Sequence, residues 1–91
     1  MRLFLCFPVM YYVYIIYSTS HDVYYKGSSE DPLRRLEEHN SDKSRYTSGK
    51  GPWELVYTEQ LPTKRDALIR EKQMKKWNRE TIERAILKSK S

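Results

Sequence analysis

The alternation of hydrophobic and polar residues predicts three strands and three helices in this chain. Residues 11–17 form a continuous run of aromatic and β-branched side chains, which is typical of a central strand that is apolar on both faces. A short polar turn separates this run from residues 23–28, so the two segments are predicted to pair as an antiparallel hairpin. Residues 53–60 alternate as a third strand. The pattern indicates an α/β sandwich around a small, mainly antiparallel sheet.

Helix boundaries are marked by capping residues. Asp31 is a favourable N-cap followed by a proline, which predicts a helix that extends to about Asn40. Thr63 caps a second predicted helix that runs to about Trp77, and residues 80–88 are predicted to form a third. The order of elements is therefore strand, strand, helix, strand, helix, helix.

Several side chains with acid, base or anion-binding chemistry fall on neighbouring predicted elements. If the loop between the first two strands has two residues, Tyr14 and Tyr25 lie opposite each other on one face of the sheet. Gly27 is expected to end the second strand where a backbone or a phosphate approaches closely. Arg35 and His39 are one helical turn apart, about 40° around the axis. Two phenols, a guanidinium and an imidazole are groups that can bind and cut a phosphodiester.

Length and composition place the chain among small soluble domains. The 91 residues suffice for one domain, and one cysteine with two histidines lacks the ligands of a structural zinc site. Cys6 cannot form an intrachain disulfide, which favours a reducing, cytoplasmic setting. The apolar residues 1–16 have the composition of a signal peptide or membrane anchor, but Pro8 and the many tyrosines favour a soluble protein. We predict an N-terminal extension at residues 1–9 and a single domain at residues 10–91.

The positive charge is concentrated in the C-terminal third. The formal charge is +5, the pI is near 9.4, and from Pro62 onward ten lysines or arginines face four acids. Such a surplus is either a solvated helical face or a surface for a polyanion. The high pI and the many aromatic residues favour nucleic acid as the partner, and nothing indicates a membrane.

One carboxylate lies on the predicted apolar face of the second helix. Ala67, Leu68 and Met74 define that face, and Glu71 is one turn from each of them. A buried carboxylate is costly unless it is paired with a cation. The partner is either one of the many lysines and arginines or a divalent metal, since Mg²⁺ often uses one or two carboxylates and completes its shell with water and phosphate oxygens. Without a second acidic partner, the sequence supports one ion.

Five short motifs occur in a fixed order along the chain. They are Tyr12-Val13-Tyr14, Tyr25-Lys26-Gly27, Arg35, His39 and Glu71. Together they are similar to the GIY-YIG nuclease family, and to its small stand-alone bacterial branch, over a stretch from about Met10 to Trp77. The first motif departs from the family pattern in carrying Tyr12 and Val13 in place of glycine and isoleucine. Asn78 follows Glu71 too closely to be the asparagine that several members carry downstream.

The resemblance implies an α/β fold with a small three-stranded antiparallel sheet flanked by helices. It also implies a metal-dependent endonuclease that acts on DNA, of the kind used in DNA repair, intron homing and restriction. By the same resemblance, Tyr14 activates or positions the attacking water, and Tyr25 lines the same pocket. Arg35 stabilises the charge on the phosphate, and His39 lies near the general base. Glu71 is the ligand of the metal, Mg²⁺ or Mn²⁺.

Two candidates for the general base stay open. A phenol with a pKa of about 10 is a weak base at pH 7 unless a cation lies beside it. Either the metal or Arg35 therefore lies close to Tyr14, or His39 takes the proton.

Contacts with nucleic acid are expected from six basic side chains, namely Lys26, Arg34, Arg45, Lys72, Lys75 and Lys76. Tyr46, next to Arg45, can also stack on a base. With no appended binding domain, specificity is expected to be low or to come from a protein partner.

Two other classes of function are kept beside the nuclease. One is a nucleic-acid-binding module that has kept the fold and is catalytically weak or inactive. The other is a protein-interaction domain, which failure to bind any nucleic acid would favour.

Overall fold

The computed structural model describes residues 10–43 and 45–90, and within them it confirms the predicted order of three strands and three helices. The elements are β1 (Tyr11–Ser18), β2 (Val23–Ser29), α1 (Pro32–Asn40), β3 (Trp53–Leu61), α2 (Lys64–Met74) and α3 (Arg79–Ser89). The predicted extension at residues 1–9, with Cys6, lies outside the described residues. Among the described helices, none has the length and hydrophobicity needed to cross a membrane.

The sheet is antiparallel with the strand order β2-β1-β3, so β1 is central as predicted. Because successive side chains of a strand point to opposite faces, β1 contributes to two separate cores. Val13 and Ile15 are fully buried against the layer formed by α2 and α3. Tyr14 and Ile16 are buried on the opposite face, where α1 packs. The α/β fold with a small three-stranded sheet flanked by helices is confirmed.

The register of the β1–β2 hairpin differs from the predicted one. The turn contains four residues, 19–22, and the last pair of the ladder joins Ser18 to Val23. Asp22 closes the turn: its φ is 54° and its N–H donates to the Ser18 carbonyl at 2.7 Å. Tyr14 therefore faces Gly27, and the prediction that it lies directly opposite Tyr25 is wrong. The shift is two residues, so both tyrosines still share a face.

The ring of Tyr14 lies against Gly27 across the hairpin. A Cβ at Gly27 would lie 2.6 Å from the Tyr14 hydroxyl oxygen and 2.7 Å from Cζ. The close approach expected at this glycine is therefore made by the ring of Tyr14. The strand does not end there, since β2 continues to Ser29. Only glycine leaves room for the phenol in this position.

The helices begin at the predicted caps. Asp31 accepts a hydrogen bond from the Arg34 N–H at 3.2 Å, and Thr63 accepts one from the Asp66 N–H at 3.0 Å. The second helix ends at Met74, three residues before the predicted Trp77.

The end of α2 is followed almost at once by the start of α3. Asn78 begins α3 by accepting a hydrogen bond from the Thr81 N–H at 2.9 Å. Leu68 is 50% exposed, so its predicted place on the apolar face is wrong, because α2 meets the sheet through Ala67 and Met74.

We predict that Gly27→Ala lowers the free energy of unfolding by about 1–3 kcal/mol, because the added methyl overlaps the ring of Tyr14. Urea denaturation followed by circular dichroism measures the change. Gly51→Ala is the control, since the nearest heavy atom to its added Cβ is 3.5 Å away. Equal losses in the two variants would contradict the importance of the contact between Tyr14 and Gly27.

Candidate active site

A buried hydrogen-bonded network of polar side chains starts at the phenol of Tyr14. Its hydroxyl oxygen lies 3.0 Å from Nε2 of His39, and the other ring nitrogen, Nδ1, lies 2.7 Å from the Thr47 hydroxyl. Tyr14 is 1% exposed, and His39 and Thr47 are 0% exposed. This network connects the central strand, α1 and the loop that precedes β3. Burial and bonds at both ring nitrogens fix the orientation of the imidazole.

The environment shifts the pKa values of Tyr14 and His39 in opposite directions. Burial raises the pKa of the Tyr14 phenol above 10.0, and the Arg35 guanidinium opposes that shift. Burial, and then the positive charge of Arg35, lower the pKa of His39 below 6.5. At pH 7 the phenol therefore keeps its proton and the imidazole is neutral. A neutral imidazole beside a phenol is able to accept a proton.

Arg35 reaches the same phenol from α1, one turn before His39. Its guanidinium interacts with Tyr14, and its Nη1 donates to Oε1 of Glu38 at 2.5 Å. The carboxylate of Glu38 raises the pKa of Arg35, whose side chain is 32% exposed. Glu38 thus positions a cation that links the buried phenol to the surface. Its i,i+3 spacing from Arg35 is a sequence signal for this pairing.

Tyr25 lies beside His39. The two ring centroids are 5.1 Å apart in an edge-on arrangement, and the other neighbour of Tyr25 is the ring of Tyr46, stacked at 5.4 Å. Tyr25 is half-buried on the face of the sheet that α1 covers. The structure therefore brings Tyr14, Tyr25, Arg35 and His39 together, and we call these four side chains the phenol cluster.

Glu71 lies on the other face of the sheet, in the α2 layer. Its Oε1 accepts a hydrogen bond from the Ser28 hydroxyl at 2.7 Å, and its Oε2 is 3.0 Å from the Lys75 ammonium. Ser28 directly follows Gly27 on β2, which is an edge strand. The negative charge of Glu71 contributes to raising the pKa of Tyr14. Tyr14 of the phenol cluster and Glu71 thus contact consecutive residues of β2, Gly27 and Ser28, from opposite faces of the sheet.

The sequence predicts one of two kinds of partner for Glu71, a basic side chain or a divalent metal. The ion pair with Lys75 is the first kind. The described residues contain no group of three or more His, Cys, Asp or Glu that could hold a metal. Glu71 with the Ser28 hydroxyl nevertheless fits the sparse protein coordination of Mg²⁺, which leaves most positions to water and phosphate. The Lys75 side chain is 58% exposed and that of Glu71 is 16% exposed, so the lysine can move into solvent.

The six basic residues predicted to contact nucleic acid are spread over both helix layers. Arg34 is on α1 and Arg45 is in the loop that follows; both are exposed. Lys72, Lys75 and Lys76 are exposed on α2 or directly after it. Lys26 is half-buried on β2, where burial and then the charge of Lys75 lower its pKa. No single face carries all six.

Three contributors to this region were not predicted from the sequence. Thr47 fixes the imidazole from the far side, Ser28 fixes the carboxylate, and Glu38 holds the guanidinium. Asn78 caps α3, which gives it a structural role away from the phenol cluster.

Comparison with known proteins identifies the family. The GIY-YIG catalytic domain matches residues 10–84 of this chain. The UPF0213 protein of Halobacterium salinarum is 39% identical over 71 residues, which cover 77% of this chain and 91% of that protein. The UPF0213 protein of Natronomonas pharaonis is 35% identical over 77 residues, which cover 84% of this chain and 89% of that protein.

A solved structure is also similar to this chain. The solution NMR structure of the UPF0213 protein from Bacillus halodurans matches with a TM-score of 0.50 and 36% sequence identity, covering 82% of this chain and 80% of that one. The domain match, the related sequences and the shared fold agree with the resemblance of the five motifs. The chain therefore belongs to the GIY-YIG family, in its small stand-alone UPF0213 group.

Proposed function

We propose that this protein is an endonuclease that hydrolyses phosphodiester bonds in DNA with the help of Mg²⁺ or Mn²⁺. The observation that carries the proposal is the phenol of Tyr14, which lies within 3.0 Å of a neutral imidazole and interacts with a guanidinium. Phosphodiester hydrolysis needs a proton acceptor for the attacking water and positive charge at the phosphate oxygens. Tyr14, His39 and Arg35 supply these two requirements.

In the proposed mechanism, Tyr14 and His39 act as one proton relay. In the tautomer with its proton on Nδ1, His39 accepts a hydrogen bond from the Tyr14 hydroxyl. As water attacks phosphorus, Tyr14 takes the proton of the water and passes its own proton to Nε2 of His39. The phenol then never has to exist as a free phenolate, which its raised pKa disfavours.

Arg35 has two tasks in this scheme. Its guanidinium stabilises the negative charge that develops on the phosphate oxygens in the transition state. Tyr14 is 1% exposed, so water reaches it only after a neighbour moves. When Arg35 turns from the phenol to a bound phosphate, it uncovers the hydroxyl.

Glu71 and Ser28 are the residues that would hold the metal. A bound divalent ion supplies charge stabilisation for the phosphate and the leaving oxygen. The chain itself contributes the carboxylate, and Lys75 leaves that carboxylate for a phosphate of the DNA. Lys26 and the other five basic residues add phosphate contacts. A role in DNA repair or processing in the cytoplasm, with specificity from a protein partner, fits this proposal.

The second candidate function is a nucleic-acid-binding module with weak or absent turnover. Two observations favour it: the buried phenol and the carboxylate already paired with Lys75. Metal-dependent cleavage by the purified protein decides between the two.

Replacing the carboxylate of Glu71 should weaken metal binding and abolish cleavage. We expect Glu71→Gln to weaken Mn²⁺ binding in isothermal titration calorimetry by at least about tenfold, since even outer partners of metal ligands cost that much. Cleavage of linear, branched and flapped DNA with Mg²⁺ should be lost. Glu80→Gln is the control, because Glu80 is exposed on α3 and pairs with Arg84. Unchanged Mn²⁺ binding in Glu71→Gln would exclude Glu71 as the ligand.

Removing the guanidinium should affect chemistry more than binding. We expect Arg35→Ala to lower the single-turnover cleavage rate by about 10²- to 10³-fold, with a smaller change in DNA affinity. Added guanidinium chloride at low concentration should restore part of the rate. A parallel loss of affinity and rate, without rescue, would assign Arg35 to binding alone.

The relay predicts a definite pH profile. His39 must be neutral to accept the proton, and its pKa lies below 6.5, so the cleavage rate should fall as pH decreases through a value below 6.5. The raised pKa of Tyr14 places its own titration above pH 10.0. Single-turnover rates between pH 5 and 9 measure the acid limb. His39→Gln should lose this limb along with most of the rate, and a limb that persists unchanged in this variant would refute the relay.

A further inference from the structure

An exposed aromatic ring continues the phenol cluster to the protein surface. Tyr46 lies in the loop between α1 and β3 and is 54% exposed. Its ring stacks on Tyr25 with centroids 5.4 Å apart and an interplanar angle of 29°, and Tyr25 packs edge-on against the buried His39 at 5.1 Å. The three rings form a continuous column from the buried imidazole to solvent. The outer end of this column takes no part in the mechanism proposed above.

The loop holds Tyr46 in place without burying it. The Lys50 ammonium donates to the Tyr46 carbonyl at 2.8 Å and lies 4.8 Å from the centroid of the ring. The Gly49 N–H donates to Oδ1 of Asp42 at 3.0 Å, which ties the loop to the end of α1. A ring that is already oriented loses little conformational entropy when a partner stacks on it. Tyr46 is therefore already oriented, with one face of its ring on Tyr25 and the Lys50 ammonium over the ring, so a base that stacks there displaces the ammonium.

The charges around this ring select the kind of partner. Lys50 lies at the ring, and Arg45 precedes it in the chain. The other large hydrophobic side chains that are exposed among the described residues are aliphatic: Leu33, Leu68, Ile69 and Leu87. Tyr46 alone in this set combines an aromatic face with adjacent cations, which suits a nucleobase attached to a phosphate.

We propose that Tyr46 is a stacking site for an unpaired nucleobase of the DNA strand whose phosphate occupies the phenol cluster. The inference rests on the proposed function and narrows its substrate class. Bases inside a duplex already stack on their neighbours and cannot offer a face to a side chain. The protein therefore acts on DNA that carries a single-stranded or splayed nucleotide next to the scissile bond.

The test compares protein variants with and without the Tyr46 ring on DNA with and without bases. It is carried out in EDTA so that no cleavage occurs. Fluorescence anisotropy measures the affinity of wild type, Tyr46→Phe and Tyr46→Ala for a single-stranded oligonucleotide, its duplex, and an abasic strand of equal charge. We expect Tyr46→Ala to weaken single-strand binding by about 5- to 100-fold, and Tyr46→Phe to retain it. On the abasic strand, wild type and Tyr46→Ala should bind equally. Leu87→Ala, at a 70% exposed residue of α3, should match wild type throughout.

The outcomes separate this inference from the proposed function. If Tyr46→Ala weakens normal and abasic strands by the same factor, the ring does not stack on a base and the inference is wrong, although DNA binding stands. The same holds if wild type prefers the duplex. If wild type binds none of the three DNAs, the stacking site is wrong, and cleavage assays with Mg²⁺ decide the nuclease proposal separately. Circular dichroism of Tyr46→Ala shows whether the fold is intact, and Tyr46→Phe repeats the comparison with the ring retained.

Discussion

The contact between the ring of Tyr14 and Gly27 is the constraint on which the candidate site depends. A side chain at position 27 would collide with the phenol, because a Cβ there lies 2.6 Å from the hydroxyl oxygen. The missing side chain allows Tyr14 to lie across the edge strand, where its hydroxyl meets His39 and Arg35. Every chemical role proposed for the phenol follows from this position.

The position of Tyr14 across β2 also explains how groups from two faces of one sheet could take part in the proposed reaction. The side chain of Tyr14 faces the α1 layer and Glu71 lies in the α2 layer, and a sheet normally separates such groups. Here they flank consecutive residues of β2, Gly27 and Ser28, and among the described residues no strand pairs with the outer side of β2. A backbone phosphate at this edge would face the phenol cluster on one side and the carboxylate on the other.

The parts of the fold that depend on local chemistry could be predicted from the sequence. The caps Asp31 and Thr63 each act within three residues, and both helix starts are confirmed. The hairpin register could not be predicted, because it depends on a turn that Asp22 closes with a positive φ. Leu68 also follows helical periodicity and is nevertheless exposed, since α2 meets the sheet through Ala67 and Met74.

The same distinction applies to the candidate site: features set by local spacing could be predicted, and a contact across a loop could not. The motifs place Tyr14, Arg35 and His39 on the correct elements, and Glu38 has a spacing that points to Arg35. The contact of His39 with Thr47 crosses an irregular loop, where no periodicity relates the two positions. The contact between His39 and Thr47 is therefore seen only in the three-dimensional structure.

The pairing of Glu71 with Lys75 has an evolutionary consequence. Small zinc-bound domains unfold when their ion is removed, because metal binding supplies much of their folding free energy. In this chain the acidic group brings its own counter-ion from the next turn of the helix. A lineage that abandoned hydrolysis would therefore keep an intact scaffold, and loss of turnover need not leave any trace in how well the domain folds.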